Sequence, residues 1–262
     1  MAVNINKFFR NDRTLILAYD HGLEHGPTDF NEKSVDPSYV LDIALEAGYT
    51  GVVLHHGIVE KYYKTYFKEV PLILKLNAHT RIGYKPLIST TVCSVERAIR
   101  LGADAVGYTI YVGSHEEPEM LTEFSSIVEK AHEYGIPVVA WAYPRGSGIN
   151  ELDTDTIAYS VRIAMELGAD MIKTYYNGDK EGLKWIIKNA GKARLVIAGG
   201  EKIPDMQFLK RTEEVLSVGA DGIAVGRNIF QSKRPFTLSK ALAKIVFHNS
   251  TAEEAARILP EK

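Results

Sequence analysis

The sequence lacks several features that mark particular classes of protein. It holds a single cysteine, Cys93, so it can form neither an intrachain disulfide nor a cysteine zinc cluster. Its formal net charge is only −2, which gives no reason to expect a nucleic acid or an anionic membrane as a partner. No apolar run approaches the ~20 residues that cross a bilayer, and the first residues lack the apolar core of a signal peptide. We therefore expect a soluble, cytoplasmic protein.

The composition is that of an ordinary globular chain. Hydrophobic residues make up 45% and charged residues 24% of the 262 residues, which excludes a disordered, collagen-like or coiled-coil protein. The length suits an α/β barrel, which closes with about 250 residues. No linker, low-complexity tract or block of charge divides the sequence, so we expect residues 1–262 to form a single domain.

Eight short apolar runs recur along the chain. Each is mostly continuous rather than alternating, as expected of strands that are buried on both faces in a parallel sheet. The predicted strands are Leu15–Asp20, Gly51–His56, Pro71–Leu76, Ala105–Ile110, Pro137–Ala142, Met171–Tyr175, Arg194–Gly199 and Gly222–Gly226. Helical spacing of apolar residues predicts helices at Pro37–Ala47, Glu116–Tyr134, Thr154–Leu167, Asp179–Asn189, Asp205–Val218 and Pro235–His248. The pattern in 57–67 does not favour either structure.

A weak internal repeat supports the count of strands. The segments GYTGVV, GADAVGY, GADMIKT and GADGIAV introduce every second predicted strand. Each begins with a glycine that fits the left-handed position after a helix; these are Gly48, Gly102, Gly168 and Gly219. The pattern predicts a (β/α)8 barrel. The competing architecture, a doubly wound open sheet, favours GxGxxG after the first strand, where this chain has DHGLEHG.

Barrel enzymes gather their functional residues at the carboxyl ends of the strands, so the polar residues in and after the predicted strands are the candidates for a site. Lys173 lies in the middle of an apolar strand, where burial of an ammonium is costly. Burial lowers the pKa of a lysine and yields the free amine that attacks a carbonyl to form a Schiff base. The alternative is an ion-paired structural lysine. Lys75 permits the same reasoning, but we interpret it as a charge partner of Asp20 or a substrate contact.

Two glycine-containing loops follow the seventh and eighth predicted strands. They carry Gly199 and Gly200 in the first and Gly226 and Arg227 in the second. Glycine lets backbone N–H groups approach an anion, and arginine adds a bidentate charge, so we predict a phosphate site here. The alternative is a pair of tight turns.

Two further residues at strand ends are candidates for acid–base chemistry. Asp20 ends an apolar strand, and a carboxylate in that position needs either a charged partner or a catalytic role. Tyr143 follows the fifth strand, and we expect a nearby cation to lower the pKa of its phenol from about 10. The alternative for Tyr143 is simple packing.

The histidines raise the alternative of a metal-dependent lyase. His55 and His56 are adjacent, so only one of them can face the barrel interior. His21 and His25 are four residues apart in a predicted loop, and His79 follows the third strand. We expect no catalytic metal.

Several strand motifs together resemble those of archaeal-type class I fructose-1,6-bisphosphate aldolases, whose wider family includes DhnA-like and LsrF-like proteins. The resemblance extends over about residues 10–246. The motifs are ILAYDHGLEHGP, PLILKLN, AVGYTIYVGS, VVAWAYPRG, DMIKTYYNGD, AGG and GIAVGRNIFQ.

The resemblance implies a barrel that reversibly cleaves fructose 1,6-bisphosphate to dihydroxyacetone phosphate and glyceraldehyde 3-phosphate, without a metal or other cofactor. It implies that Lys173 forms the Schiff base, that Tyr143 donates protons and that Asp20 assists. Positions for substrate and phosphate binding match Trp141, Arg145, Gly199, Gly200, Gly226 and Arg227, and His21 and His25 match the loop after strand one. It also implies a homo-oligomer whose only other partner is a small sugar phosphate.

Two other activities stay open at this point. Relatives with the same aspartate, tyrosine and lysine make an aminodideoxyheptulosonate by a transaldolase-type step, and others act as thiolases on a phosphorylated dione. A barrel that binds sugar phosphates without catalysis is the remaining alternative.

Overall fold

The computed structural model describes residues 3–82 and 87–259. Within them, eight parallel strands form a closed barrel in which each strand pairs with the next in the chain and the eighth pairs with the first. The barrel strands are β1 (Thr14–Ala18), β2 (Gly51–Leu54), β3 (Leu72–Lys75), β4 (Ala105–Val112), β5 (Val138–Pro144), β6 (Met171–Thr174), β7 (Arg194–Ala198) and β8 (Gly222–Val225). The predicted (β/α)8 barrel is confirmed, and the open sheet is wrong.

Helices lie between the strands and cover the outside of the barrel. They are α1 (Pro37–Ala47), α2 (His56–Tyr62), α3 (Val95–Arg100), α4 (Glu117–Glu133), α5 (Thr154–Glu166), α6 (Lys180–Ala190), α7 (Asp205–Val218) and α8 (Pro235–His248). Shorter α-helical turns are His21–Glu24, Arg227–Phe230 and Ala252–Ala256, and 3-10 turns are Asn6–Phe8, Pro27–Asp29 and Tyr63–Thr65. The predicted helices are confirmed to within a residue at either end. The sequence patterns did not predict α2, α3 or the short antiparallel hairpin of Asn77–Ala78 with Thr90–Thr91.

The two-strand repeat has a structural basis at the amino ends of the strands. All four predicted glycines have left-handed backbones, with φ between +67° at Gly48 and +118° at Gly219. The aspartate of each Gly-Ala-Asp segment accepts a hydrogen bond from the backbone N–H at the start of the preceding odd-numbered strand: Asp104 from Leu72, Asp170 from Val138 and Asp221 from Leu195. In the first quarter Thr50 Oγ1 replaces the carboxylate and accepts from the N–H of Leu15. These hydrogen bonds therefore link the start of each odd-numbered strand to the segment that leads into the next even-numbered strand.

The barrel interior is closed at the amino ends of the strands. Phe8 packs so tightly on Gly51, the first residue of β2, that a Cβ on this glycine would stand 2.9 Å from the phenyl ring. Phe8 belongs to an interior cluster with Ile16, Ile73 and Met171, all of which are buried. The opposite end of the barrel, where the strands have their carboxyl ends, is therefore the open one.

Among the described residues no helix combines the length and hydropathy that crossing a membrane would need.

Candidate active site

A pocket lies at the carboxyl ends of the barrel strands. All the predicted site residues except Lys75 line it: Asp20, His21, His25, Trp141, Tyr143, Arg145, Lys173, Gly199, Gly200, Gly226 and Arg227. Three further polar or aromatic residues, to which the sequence assigned no role, also line it, namely Glu24, Tyr111 and Tyr175. The barrel therefore brings together residues as distant in the chain as Asp20 and Arg227, which lie 207 positions apart.

Lys173 occupies the position that the strand pattern predicts. It is the third residue of β6, pairs in register with Trp141 on β5, and is only 7% exposed. Its Nζ lies 5.2 Å from the centre of the Trp141 ring. Burial lowers the pKa of the Lys173 amine, partly against the pull of the Asp20 carboxylate, so a larger fraction of it is uncharged.

Asp20 follows β1 and is buried beside two lysines. Burial alone would raise the pKa of its carboxyl, but the ammonium groups of Lys173 and Lys75 outweigh burial and hold that pKa well below its usual range. Lys75 Nζ lies 3.9 Å from Asp20 Oδ2, so the predicted charge partnership is present. Asp20 is therefore a carboxylate at neutral pH.

Lys75 lies behind the pocket wall rather than on it. Its side chain extends from β3, is fully buried, and donates a hydrogen bond of 2.9 Å from Nζ to Glu24 Oε1. Its Nζ also lies 5.0 Å from the centre of the Trp141 ring. Trp141 thus has a lysine amine from β3 and another from β6 near its ring.

Tyr143 lies on β5 with its ring stacked on that of Tyr175, at 4.4 Å between centroids. We expected a nearby cation to lower the pKa of Tyr143, and this expectation is wrong. Burial raises that pKa well above its ordinary value, and the negative charges of Asp20 and Glu24 raise it further, while Arg145 opposes them only weakly. Tyr143 is therefore a neutral phenol, which can donate a proton.

Arg145 stands at the edge of this aromatic group. It donates a hydrogen bond of 2.6 Å from Nη2 to the hydroxyl of Tyr175. Its guanidinium also lies 5.2 Å from the centre of the Tyr111 ring. Tyr175 directly follows β6, so the rule that selected Lys173 could also have selected this tyrosine.

The loops after β7 and β8 form another side of the pocket. Gly226 has no room for a side chain, because a Cβ would stand 2.3 Å from the His21 ring and 2.8 Å from the carbonyl oxygen of Ala18. Gly200 has a left-handed backbone with φ of +74°. The Nε of Arg227 is buried and has no hydrogen-bond partner among the described residues. The guanidinium of Arg227 therefore has an N–H group available beside the pocket, as an anion site requires.

The histidines in and near the pocket have different neighbours and hydrogen-bond partners. His21 and His25 lie in or next to a helical turn rather than in the loop that the sequence pattern predicted. Burial lowers the pKa of His21 to about 4. His25 Nδ1 is 2.6 Å from the carboxylate of Asp29, and His79 Nδ1 is 2.9 Å from the hydroxyl of Tyr111.

The side chains of His55 and His56 have different surroundings, as expected of adjacent residues at the end of a strand. His55 is buried near the charges of Lys75 and Asp20, whereas His56 begins α2. Within residues 3–82 and 87–259 no three histidine, cysteine, aspartate or glutamate side chains are arranged to hold a metal ion.

Two known proteins with similar sequences are aldolases. The model of the DeoC/LacD family aldolases matches residues 14–232. A fructose-bisphosphate aldolase class 1 of Thermoproteus tenax is 46% identical over 255 residues, which are 96% of this chain and 96% of that protein. One of Halobacterium salinarum is 40% identical over 249 residues, which are 94% of this chain and 95% of that protein.

A solved structure has the same fold. It is an archaeal fructose-1,6-bisphosphate aldolase with its catalytic lysine covalently bound to the carbinolamine intermediate of the substrate. It superposes with a TM-score of 0.89 and 46% identity, covering 93% of this chain and 97% of that one. The family match begins at the first residue of β1 and ends beyond β8, so it includes every strand of the barrel. The chain therefore belongs to the DeoC/LacD aldolase family.

Proposed function

We propose that this protein is a class I fructose-1,6-bisphosphate aldolase, which uses a Schiff base and no metal. The observation that carries the proposal is the buried Lys173, whose amine lies on the pocket wall with a lowered pKa beside the ionised Asp20. An amine of lowered pKa next to a carboxylate is the arrangement that carbonyl attack and proton removal need. The similarity to two fructose-bisphosphate aldolases, over nearly the whole chain, supports the same substrate.

The first stage joins enzyme and substrate covalently. The uncharged form of the Lys173 amine attacks the C2 ketone of the sugar, and a proton passes from its nitrogen to the C2 oxygen to form a carbinolamine. Tyr143, a neutral phenol because burial raises its pKa, donates the proton with which the C2 oxygen leaves as water. The product is an iminium ion that withdraws electrons from the adjacent carbon.

The second stage breaks the bond between C3 and C4. The C4 hydroxyl loses its proton to the carboxylate of Asp20, the C4 oxygen becomes the aldehyde of glyceraldehyde 3-phosphate, and the bonding electrons pass through C3 into the iminium to give an enamine. The proton that Asp20 accepted passes to the Tyr143 phenolate, which delivers it to C3 and so restores the iminium. Water then adds to the iminium and releases dihydroxyacetone phosphate from Lys173, and the proton set free returns to Tyr143. Each proton removed has an acceptor in the pocket, because Asp20 is ionised and Tyr143 is alternately acid and base.

The two phosphates are proposed to occupy opposite sides of the pocket. Arg227 with the backbone of Gly200 and Gly226 takes one phosphate, and Arg145 from the end of β5 takes the other. Lys173 comes from β6, between the strands that carry these arginines, so a bound bisphosphate has its carbon chain over the amine. Binding energy from both phosphates would then position C2 for attack.

Reductive trapping tests the proposal. The protein is treated with fructose 1,6-bisphosphate and sodium borohydride, and the modified peptide is located by mass spectrometry. We expect one adduct at Lys173, none in Lys173→Met, and undiminished aldol cleavage after exhaustive chelation. An adduct at Lys75, no adduct, or cleavage that requires an added metal would overturn the proposal. A parallel assay with the deoxy-ketohexose phosphate of the transaldolase-type reaction identifies the preferred substrate.

We also propose that the enzyme works in the cytoplasm as a homo-oligomer. Tyr159 on α5 and Trp185 on α6 are large aromatic side chains that are 65% and 48% exposed. Exposed aromatic residues of this size are enriched in protein interfaces, and α5 and α6 pack against each other. Light scattering on the purified protein tests the assembly, and the mass of a single chain would contradict it.

A further inference from the structure

Glu24 is a carboxylate on the pocket wall to which the proposed chemistry gives no role. It ends the short helical turn His21–Glu24 that follows Asp20, and its side chain is 17% exposed. Its Oε1 accepts the hydrogen bond of 2.9 Å from Lys75 Nζ. The same Nζ lies 3.9 Å from Asp20 Oδ2. Two carboxylates therefore share one lysine, and Glu24 holds the direct bond.

The buried ammonium of Lys75 needs a carboxylate partner. Its side chain is fully buried on β3, and a buried ammonium that loses its counter-ion is strongly destabilised. The Asp20 carboxylate is the other negative group within 4.0 Å of Nζ among the described residues. If Glu24 lost its charge, Lys75 would therefore move toward Asp20.

We propose that Glu24 is a positioning residue that engages the Lys75 ammonium and so leaves the Asp20 carboxylate available to Lys173 and the substrate. The inference rests on the proposed function, in which Asp20 accepts a proton. The groups that face Asp20 are Lys173 from β6, Lys75 from β3, His55 after β2, and His21 and Glu24 from the turn after β1. In the part of the chain that the structure describes, Glu24 and Asp20 are the two carboxylates within 4.0 Å of Lys75 Nζ, so Glu24 competes with Asp20 for this lysine.

The inference predicts a distinctive pattern of activities. Glu24→Gln lets Lys75 close the gap to Asp20 by about 1 Å, and a misplacement of that size lowers kcat by about 10- to 100-fold. KM changes little, because Glu24 belongs to neither proposed phosphate site. Lys75→Met also lowers kcat, since it leaves the Glu24 carboxylate without its directly bonded cation and Asp20 with Lys173 alone. The double variant Glu24→Gln/Lys75→Met has a higher kcat than Glu24→Gln alone, because the lysine that would capture Asp20 is gone.

Steady-state cleavage of fructose 1,6-bisphosphate by the wild-type protein and the three variants tests this pattern. Glu60→Gln is the matched control, since Glu60 pairs with Arg97 at 2.7 Å on the exposed surface of α2 and its loss should leave kcat and KM unchanged. Circular dichroism checks the fold of each protein. Glu24→Asp, which keeps the charge on a shorter side chain, gives an intermediate kcat and serves if Lys75→Met does not fold.

A crystal structure of Glu24→Gln supplies an independent readout, in which Lys75 Nζ should lie within hydrogen-bond distance of Asp20. A kcat of Glu24→Gln within about twofold of wild type, a double variant no faster than Glu24→Gln, or an unchanged separation of Lys75 and Asp20 would each overturn the inference. Borohydride trapping separates it from the proposed function. If the wild-type protein forms no adduct at Lys173, the proposed function fails and the inference falls with it, whereas normal trapping with an unaffected Glu24→Gln contradicts the inference alone.

Discussion

Trp141 occupies the space that a side chain on Gly107 would need. A Cβ built on Gly107 would stand 2.3 Å from Cζ3 of the indole ring, well inside van der Waals contact. The two residues lie on the neighbouring strands β4 and β5. The ring that this glycine admits lies near the amines of Lys75 and Lys173, at 5.0 and 5.2 Å from its centre. Gly107 thus determines where the indole stands between the lysines.

Gly107→Ala should therefore move Trp141 and disturb both lysines. Overpacking of this kind costs about 1–3 kcal/mol of unfolding free energy, and we expect kcat to fall with it. Since the chain has two tryptophans, Trp185→Phe leaves Trp141 as the sole indole fluorophore. In that background the emission spectrum should change on Gly107→Ala. Gly57→Ala is the control, because its Cβ would meet nothing within 4 Å, and an unchanged spectrum in Gly107→Ala would refute the prediction.

Tyr143→Phe should slow turnover and leave substrate binding nearly intact. The phenol stays protonated because burial raises its pKa, and loss of a positioned general acid typically lowers kcat by about 10²- to 10⁴-fold. Tyr175→Phe is the informative comparison. It keeps the ring stack but removes the hydroxyl that accepts from Arg145, so we expect it to raise KM more than it lowers kcat. Steady-state kinetics distinguish the two, and a large rise in KM with normal kcat for Tyr143→Phe would contradict its role.

The sequence predicts the barrel and most of the pocket, because both depend on local patterns. Continuous apolar runs mark the strands, and polar residues at their carboxyl ends mark Asp20, Tyr143 and Lys173. Glu24 follows the same strand as Asp20, but the sequence patterns assigned it no role because its partner Lys75 lies 51 positions away on another strand. The direction of the pKa shift of Tyr143 could not be predicted from the sequence, because it depends on whether the effect of burial exceeds that of the Arg145 charge. Strands of two residues and a helix as short as α3 leave no periodic pattern to detect.

The rate of Schiff-base formation should rise with pH and level off below pH 10.5, the ordinary pKa of a lysine. Burial lowers the pKa of Lys173, so its amine loses its proton earlier as pH rises. Groups that face it are Asp20 and Glu24, which oppose this shift, and Lys75 and Arg227, which support it. Rapid-quench trapping across the pH range measures the midpoint. A midpoint at or above 10.5 would show that burial does not lower the pKa of this amine.

Asp104 should contribute to stability and not to catalysis. Its carboxylate accepts the hydrogen bond from the N–H of Leu72, which is fully buried, and it also pairs with Lys7. Asp104→Ala leaves that N–H without its acceptor, which costs about 1–3 kcal/mol of unfolding free energy. Asp104→Asn retains an acceptor and loses mainly the surface ion pair, so it should cost less than about 1 kcal/mol.

Urea denaturation measures both changes, and assays below the unfolding transition should give the kcat of the unmodified protein, because Asp104 lies at the amino ends of the strands, opposite the pocket. Glu129→Gln, an exposed substitution on α4, controls for loss of a carboxylate. Equal unfolding free energies for Asp104→Ala and Asp104→Asn would mean that the hydrogen bond to Leu72 adds nothing. In that case the Gly-Ala-Asp repeat would mark a turn geometry alone, and its aspartates would not hold the paired strands together.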